Sequence, residues 1–276
     1  MFELPEYITI ASQINSTIKG KLIRDGSLGN SPHKFVWYNR TEDEFSTLIK
    51  GKTIGDAVVR GRWMSVPAEP GYVLLFGECG GKILYQSPGG ELPKKYHLSI
   101  YFADGSFLTA TTQMWGAFEL YEKGDELKRQ YVKDMRTTPV ESEFTFQYFS
   151  DLIDAESSTN KRSVKGLLTQ EQIIPGLGNA IAQDIMFQAK LHPKHDIGDL
   201  DEGQKIQLYD AIINTTEQVI KLGGRYDEYD LYGNQGGYAR LMDKNTVGKS
   251  CPQCGTMIEK MSYLGGTCYY CPGCQV

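Results

Sequence analysis

The order of apolar and polar residues divides the chain into a β-rich first half and a helical second half. Between residues 5 and 19 apolar side chains recur at helical spacing, with Pro5 suited to the first turn of a helix and Gly20 to its end. Asp104-Gly105 favours a hairpin turn. Short β-branched and aromatic runs, typical of strands, cover 57–66, 72–76, 82–86, 96–102 and 106–112. A β-rich domain that begins with a helix is therefore predicted.

Helical periodicity returns after a short break. Residues 133–143 contain Pro139 and few large apolar side chains, which is typical of a linker. The segment 223–240 is rich in Gly and Tyr and has no clear period, which predicts a long loop, either mobile or functional. Four helices are predicted over 144–153, 163–173, 179–190 and 201–222. Sheet followed by helices indicates an α+β fold.

The composition is that of an ordinary globular protein. Of the 276 residues 40% are hydrophobic and 23% charged, and the chain is long enough for two domains. No apolar run approaches the about 18 residues of a membrane span, and no signal peptide is recognisable, so a cytoplasmic location is expected. The protein is also expected to be a monomer. The net charge of −5 argues against an unselective nucleic-acid binder. Residues 161–195 nevertheless carry five basic and two acidic side chains, which leaves room for DNA.

Four cysteines near the end have the spacing of a metal site. Cys251-Pro-Gln-Cys254 is followed, after sixteen residues, by Cys271-Pro-Gly-Cys274. Two such pairs place four thiolates at the corners of a tetrahedron, which is the geometry that zinc requires. Disulfides are the poorer reading in a chain without a secretion signal. One structural zinc ion per chain is therefore predicted, because sulfur fills all four positions.

A glycine-rich turn separates two of the predicted helices. In Pro175-Gly176-Leu177-Gly178-Asn179 the glycines permit a close approach of backbone amides to another molecule, and Asn179 is suited to cap the next helix. A helix N-terminus beside basic residues can bind a phosphate. The same residues also suit a plain turn between two helices, so both readings stay open.

Several of these segments occur together in one family of repair enzymes. The chain resembles formamidopyrimidine-DNA glycosylases and endonuclease VIII in Glu3-Leu4-Pro5-Glu6, in the stretch from residue 164 through the glycine turn to 193, in Gly223-Gly224 and in the cysteine pairs. The resemblance implies an N-terminal helix and β-sandwich domain (1–132), a linker (133–143), a helix-two-turn-helix DNA-binding domain (144–245) and a zinc-ribbon hairpin (246–276). It also implies that DNA is the partner.

The resemblance assigns DNA contacts to particular residues. It implies that Lys165 and Asn179 bind phosphates, with Gly176 and Gly178 forming the turn beside them. Arg62 stands where the family usually has a phosphate-binding lysine, which keeps the charge but changes the donor geometry. These contacts would fix the position of DNA without reading its sequence.

Other positions depart from the family pattern. The segment that normally supplies two arginines and a phenylalanine to fill the gap behind an everted base reads Gln113-Met114-Trp115, in which only Trp115 can still wedge or stack. Gly266 stands in place of the arginine of the zinc hairpin, and Glu78 in place of an apolar gap-filling residue. Changes of this kind predict altered handling of DNA.

The start of the chain departs most. In the family a proline at position 2 becomes the N-terminus and attacks the sugar C1′. Here Phe2 occupies that position, and a residue of this size normally blocks removal of the initiator methionine. The free amine would then belong to Met1. It would lie one residue, or about 3.8 Å of chain, away from the position of the family's proline amine. Glu3 remains where the family has its catalytic carboxylate, although both Glu3 and Glu6 also suit a helix start.

Three functions are compatible with these residues. The first is a DNA N-glycosylase of base excision repair that releases modified bases through Glu3, with weak or absent cleavage of abasic sites (AP lyase activity), in which Met1 and Glu6 complete the catalytic group. The second is an inactive binder of damaged or distorted DNA. The third is a zinc-stabilised scaffold for protein partners. The acidic net charge favours the third, and the retained DNA contacts favour the first two.

Overall fold

The computed structural model describes residues 1–32, 34–159 and 161–276, apart from the side chain of Tyr131. The chain forms two compact units: Met1–Met135 with Ile220–Tyr238, and Arg136–Val219 with Ala239–Val276. The division at Met135 lies within the stretch predicted to be a linker. The segment 220–238, which was expected with the helical domain, belongs to the first unit. None of the described helices has the length and apolar character that crossing a bilayer requires.

Two sheets and an N-terminal helix build the first unit, as the pattern predicts. The helices are α1 (Leu4–Thr17), α2 (Glu42–Ile49) and the short α3 (Gln130–Lys133). The strands are β1 (Ile23–Ser27), β2 (Val36–Trp37), β3 (Thr53–Ile54), β4 (Val58–Arg60), β5 (Trp63–Glu69), β6 (Tyr72–Gly77), β7 (Gly81–Gln86), β8 (Leu98–Phe102), β9 (Phe107–Thr112) and β10 (Gly116–Glu122).

The strands pair mainly with their sequence neighbours. One sheet has the order β1-β8-β9-β7; the other has the order β2-β10-β6-β5-β3, with β4 also paired to β5. Among the described pairs only β2 and β10 run parallel. The β8–β9 hairpin turns at Asp104-Gly105, as predicted, with Gly105 at φ +85° and Asp104 accepting from the Ser106 amide.

The larger hydrophobic core of the first unit joins α1 to both sheets. Phe2 is fully buried in it, and its ring meets that of Tyr7 edge to face at a centroid distance of 5.6 Å. Burial of a phenylalanine side chain stabilises a fold by about 1.5–3 kcal/mol, so Phe2 contributes to the stability of the unit. Other core members include Ile10, Ile14, Met64, Phe76, Ile83, Ile100, Phe102, Phe118 and Leu231.

The segment 223–240 is irregular, as predicted, and its residues 223–238 are packed into the first unit. Leu231 is fully buried in the core. Its amide donates to Gln13 Oε1 at 2.8 Å, and its carbonyl accepts from the Tyr85 amide at 2.8 Å. These contacts attach the loop to α1 and β7.

The second unit contains the four predicted helices and a terminal hairpin. They are α4 (Phe146–Thr159), α5 (Val164–Thr169), α6 (Asn179–Gln188) and α7 (Glu202–Lys221), followed by β11 (Glu259–Tyr263) and β12 (Gly266–Tyr270). The last two residues of α7 are grouped with the first unit. Gln183 on α6 joins the hairpin by donating to the Thr267 carbonyl and accepting from the Tyr269 amide, both at 3.0 Å.

Candidate active site and metal centre

The first turn of α1 carries two buried carboxylates. Glu3 is the N-cap residue, Pro5 follows in the first turn, and the Glu6 carboxylate accepts from the Glu3 amide at 2.8 Å. Negative charge is favourable at a helix N-terminus because the free amides carry a partial positive charge. Glu3 is 4% and Glu6 3% exposed. Two carboxylates that are buried this deeply require a cationic partner.

Arg225, which the sequence did not single out, is that partner. Its Nε and Nη2 atoms donate to the two oxygens of Glu6, each at 3.0 Å, and its backbone amide donates to the same carboxylate at 3.0 Å. Its Nη1 lies 3.9 Å from Glu3 Oε1. Although burial raises the pKa of Glu6, Arg225 holds that pKa below its usual value. Burial lowers the pKa of Arg225, but Glu6 and Glu3 raise it above its usual value.

Arg225 Nη2 also contacts the start of the chain. The Met1 ammonium donates to Glu228 Oε1 at 2.8 Å, and the Met1 carbonyl accepts from Arg225 Nη2 at 2.8 Å. Glu228 Oε1 also lies 3.4 Å from Arg225 Nη2. By contrast, Phe2 donates its amide to the Cys79 carbonyl at 2.8 Å. The Met1 amine therefore lies in a cluster with Arg225 and Glu228.

Arg62 and Trp115 border this cluster. Arg62 Nη1 lies 3.5 Å from Met1 Sδ and 3.4 Å from Glu78 Oε2. This ion pair balances the negative charge that Glu78 brings to the surface. The Gly80 amide donates to the Trp115 carbonyl at 3.2 Å, and a Cβ atom at Gly80 would lie 3.9 Å from the Met1 Cα. The predicted residues Met1, Arg62 and Trp115 thus lie around one point.

An exposed aromatic pair continues this surface. Trp115 stacks on Trp37 with ring centroids 5.1 Å apart and planes 8° apart. Trp37 is 45% exposed and Trp115 37%. Gln113 and Met114 are exposed beside them. The sequence indicated Trp115 but missed Trp37, because the contact joins residues far apart in the chain.

In the second unit, the predicted phosphate-binding residues contact the hairpin. Lys165 is 1% exposed, and its Nζ donates to the Tyr263 carbonyl at 2.5 Å. Asn179 Nδ2 donates to the Thr267 carbonyl at 3.3 Å. A Cβ atom at Gly266 would lie 3.2 Å from Asn179 Oδ1. Lys165 and Asn179 therefore hold the two strands of the hairpin near their turn.

The glycine turn differs in one detail from the expected arrangement. Gly178 has the extended conformation of an N-cap residue, and α6 begins at Asn179. Asn179 is thus the first helical residue, and the expectation that it caps α6 is wrong by one position. Gly176 has φ +92°, where a side chain would be strained, and its amide donates to Gln172 Oε1 at 3.0 Å.

The four predicted cysteines converge on one point in the second unit. Their Sγ atoms lie within 4.8 Å of one another, with 3.7 Å between Cys251 and Cys274 and 3.4 Å between Cys254 and Cys271. All four are free thiols. The same tight turn forms each pair: the Gly255 amide donates to the Cys251 carbonyl, and the Gln275 amide donates to that of Cys271. Such a cluster can hold a metal ion.

Two family models match separate parts of the chain. The formamidopyrimidine-DNA glycosylase N-terminal domain matches residues 1–115, and the formamidopyrimidine-DNA glycosylase H2TH (helix-two-turn-helix) domain matches residues 136–228. Between them they cover both the α1 site and the helices of the second unit.

Similar proteins match along the entire length. A formamidopyrimidine-DNA glycosylase of Bacillus cereus is 26% identical, and one of Lactobacillus delbrueckii 27% identical, each over 100% of this chain and 99% of the relative. Among solved structures, Lactococcus lactis Fpg in complex with abasic-site DNA has a TM-score of 0.85 at 25% identity. A variant of the same protein with Fapy-dG-containing DNA has a TM-score of 0.86 at 26% identity. Each of these two matches covers 99% of this chain and 99% of the solved structure.

Proposed function

Because the chain belongs to the formamidopyrimidine-DNA glycosylase family, we propose that it is a damaged-DNA N-glycosylase of base excision repair that cleaves the strand only weakly. One observation carries the second part of the proposal. Phe2 is fully buried, and its backbone nitrogen donates to Cys79, so position 2 offers no amine to a sugar. Release of the base then depends on the carboxylates of α1 and on water. The relatives are bacterial, and their DNA lies in the cytoplasm, where this chain would act.

Glu3 is the proposed catalytic carboxylate. It lies at the N-terminus of α1 with Arg225 3.9 Å away, and Glu6 takes the closer hydrogen bonds of that guanidinium. Glu6 thus anchors Arg225, and Glu3, at the N-terminus of α1, would orient a water molecule toward C1′. In this arrangement Glu3 accepts a proton from water as the bond between sugar and base breaks.

Contacts to DNA are proposed for both units. Arg62 would bind a phosphate beside Met1, and the glycine turn at Gly176 and Gly178 would present backbone amides. The Lys165 ammonium donates one of its three N–H groups to the Tyr263 carbonyl, so the other two could donate to a phosphate. Asn179 Nδ2 gives one of its two hydrogens to the Thr267 carbonyl, so the other could reach a phosphate in the same way.

Zinc is the metal proposed for the cysteine cluster. Zinc–sulfur bonds of about 2.3 Å at tetrahedral angles place sulfur atoms about 3.8 Å apart, and the separations of 3.4 and 3.7 Å fit that arrangement. The ion would join the two turns and so stabilise a hairpin that has little core of its own.

The central test measures base release and strand cleavage separately. Duplexes with single oxidised or ring-opened bases are incubated with the protein, the free base is quantified, and the strand is examined before and after alkali. We expect free base with most strands intact until alkali is added. Glu3→Gln should abolish base release, and the matched surface variant Glu42→Gln should not.

A binder of damaged DNA is the second candidate, and the aromatic pair favours it. Stacking of a nucleobase on an aromatic side chain is worth about 1–3 kcal/mol. An exposed pair of stacked indoles could support an unpaired base without any chemistry. Trp37→Ala should then weaken binding to an abasic duplex, while Trp63, which is buried, serves as the internal fluorescence reference. Tight binding with no base released from any lesion would favour this function.

A further inference from the structure

The exposed aromatic pair belongs to a stack of three rings. Trp115 contacts Trp37 at a centroid distance of 5.1 Å with the planes 8° apart, and it contacts Phe35 at 4.7 Å with the planes 43° apart. Trp37 is the most exposed of the three. Each indole therefore covers one face of the other, and Trp37 forms the open end of the stack.

The backbone around both indoles is hydrogen-bonded. The Trp115 carbonyl accepts from the Gly80 amide at 3.2 Å and from the Thr112 hydroxyl group. Trp37 lies on β2, where it pairs with Ala117 of β10. Because the rings also stack on each other, the stack has a defined position before any ligand binds. A surface that is ordered beforehand loses less conformational entropy on binding.

This geometry differs from that of an intercalating wedge. A side chain that enters a duplex between two base pairs needs both faces of its ring, because a base pair stacks on each face. Trp37 covers one face of Trp115, so Trp115 would have to leave its neighbour before it could intercalate. Trp37, at the open end, can receive one base on its outer face. The stack is therefore suited to one-sided contact with a base.

Single-stranded DNA supplies a base that suits such a surface. Inside a duplex both faces of a base are covered by its neighbours, whereas a flexible single strand can turn one base outward. Stacking of that base on an aromatic ring tolerates any sequence. Gln113 and Met114, beside Trp115, carry no charge with which to hold the opposite strand of a duplex. A single strand has no opposite base to hold.

We propose that Trp37 is the outer ring of a fixed platform for an unpaired base, and that the substrates of this protein include damaged bases in single-stranded DNA. The inference rests on the proposed function in one respect, namely that the α1 site releases the damaged base. It gives Trp37 the stacking role that the sequence predicted for Trp115, and Trp115 becomes the support beneath it.

A cation lies beside the stack. Lys34 is exposed, and its Nζ lies 4.7 Å from the centre of the Phe35 ring. Because each nucleotide carries a phosphate, a strand with one base on Trp37 brings negative charge close to this ammonium group. Loss of one phosphate contact makes the slope of log affinity against log salt shallower by about 0.7 for a single strand. Lys34→Gln should show that change.

The platform also lies close to the proposed catalytic group. The Gly80 amide donates to the Trp115 carbonyl, and a Cβ atom added at Gly80 would lie 3.9 Å from the Met1 Cα. Glu3, the N-cap of α1, follows Met1 by two residues. One strand can therefore place a base on the platform and a neighbouring nucleotide at the start of α1.

The first experiment measures binding to undamaged DNA without ends, so it requires no chemistry. A short labelled single strand is displaced from the protein by closed single-stranded circles or by relaxed duplex circles of the same sequence. Trp37→Leu should lower the affinity for single-stranded circles by about fivefold or more, the scale of one lost base–aromatic contact, and leave that for duplex circles unchanged. Trp37→Phe keeps a ring and should retain most of the affinity. Leu92→Ala, at another exposed apolar position, is the matched control.

A second measurement separates a platform from a wedge. In Trp115→Phe, Trp37 is the one exposed tryptophan that remains, because Trp63 is buried. Single-stranded circles should shield its fluorescence from acrylamide, and duplex circles should not. Trp115→Phe still supports Trp37 and should keep the affinity for single strands, whereas Trp115→Leu should lower it. An intercalating Trp115 predicts the reverse, with duplex binding weakened by Trp115→Leu and no effect of Trp37→Leu.

Base release then tests the substrate class. An oxidised base is placed in a single strand, and KM and kcat are measured for its release. Trp37→Leu should raise KM by about fivefold or more and leave kcat nearly unchanged, because the ring binds DNA away from the bond that breaks.

The possible outcomes are distinct. Equal losses of affinity for both kinds of circle, or no loss with Trp37→Leu, would overturn the assignment of Trp37. If Trp37→Leu does not fold, the shielding of Trp37 in Trp115→Phe decides the question. Base release from duplexes but never from single strands would overturn this inference and leave the proposed glycosylase intact. Binding of single strands that depends on Trp37, with no base released from any DNA, would contradict the glycosylase and leave the platform.

Discussion

Arg225 and Glu6 form a buried ion pair in which two guanidinium nitrogens meet two carboxylate oxygens at 3.0 Å. The pair joins residues 219 positions apart and fixes the loop after Gly223-Gly224 to the first turn of α1. Bidentate contacts of this kind restrict orientation as well as distance. Arg225, which lies far along the sequence, therefore helps to fix the conformation of the chain start.

Removal of the guanidinium should therefore be costly. Arg225→Met leaves Glu6 buried without its partner, and we expect a loss of about 3–5 kcal/mol in the free energy of unfolding. Urea denaturation measures this loss. Lys19→Met, which breaks the exposed pair with Asp56, should change stability by less than about 1 kcal/mol. If the two changes lower the free energy of unfolding equally, the buried pair contributes no more to stability than the exposed pair.

The same ion pair predicts a dependence on pH. The pKa of Glu6 lies below its usual value in the folded protein, so the folded state binds the proton less readily than the unfolded chain. The contribution of Glu6 is fully present above the ordinary carboxyl pKa of about 4 and is lost as the pH falls through the lowered value. Thermal melting from pH 6 downward should show wild type losing stability more steeply than Arg225→Met.

Phe2→Pro should lower the stability of the fold and increase the reactivity of the N-terminus toward abasic DNA. The change removes a fully buried ring, which costs about 3 kcal/mol or more. It also permits removal of Met1 and creates a secondary amine beside Glu3. We expect a lower melting temperature together with stronger borohydride trapping than in wild type. Phe2→Leu, which keeps an apolar side chain and Met1, is the control; increased trapping by Phe2→Leu would contradict the explanation.

Lys165 should affect all DNA duplexes alike. Lys165→Glu removes one positive charge from the helical unit and breaks the contact with Tyr263, so affinity should fall for damaged and intact duplexes by similar factors. If the lysine contacts a phosphate, the slope of log affinity against log salt should become shallower by about one. Lys165→Gln, which can still donate to Tyr263, should show the same change of slope. An unchanged slope in both variants would make Lys165 a support for the hairpin only.

The cysteine cluster should bind one metal ion per chain. Elemental analysis of freshly purified protein is expected to find zinc, and Cys271→Ser should release it and unfold the terminal hairpin. Cys79→Ser is the control, because Cys79 lies in the first unit outside the cluster. Protein that contains no metal at purification would contradict this prediction.

The sequence predicted those parts of the molecule that depend on local patterns. Helical spacing located α1 and the four helices of the second unit, alternation located most strands, and the two Cys-x-x-Cys turns located the metal site. The helix α2 was missed, although Thr41 and Glu44 form a capping box that could have signalled its start. Such signals are visible because the residues that interact are close in sequence.

The cluster at the chain start could not be predicted in the same way. Glu3 and Glu6 were recognised, but Arg225 and Glu228 lie in a segment without any period, and their partners are more than 200 positions away. A basic residue directly after two glycines and shortly before Asp227, Glu228 and Asp230 was the one available signal. Phe2 was read as a loss from the active site, whereas its burial shows that it has become part of the core.

The discontinuity of the first unit has a consequence for synthesis. Leu231 completes the core and Arg225 neutralises Glu6, yet both lie beyond the helices of the second unit. A nascent chain that emerges from the ribosome presents the β-sheets and the carboxylates of α1 long before these two residues are made. Domains usually fold as units during translation, so the N-terminal unit must finish after the helices that follow it. Until then the part of the core that Leu231 covers remains exposed to solvent.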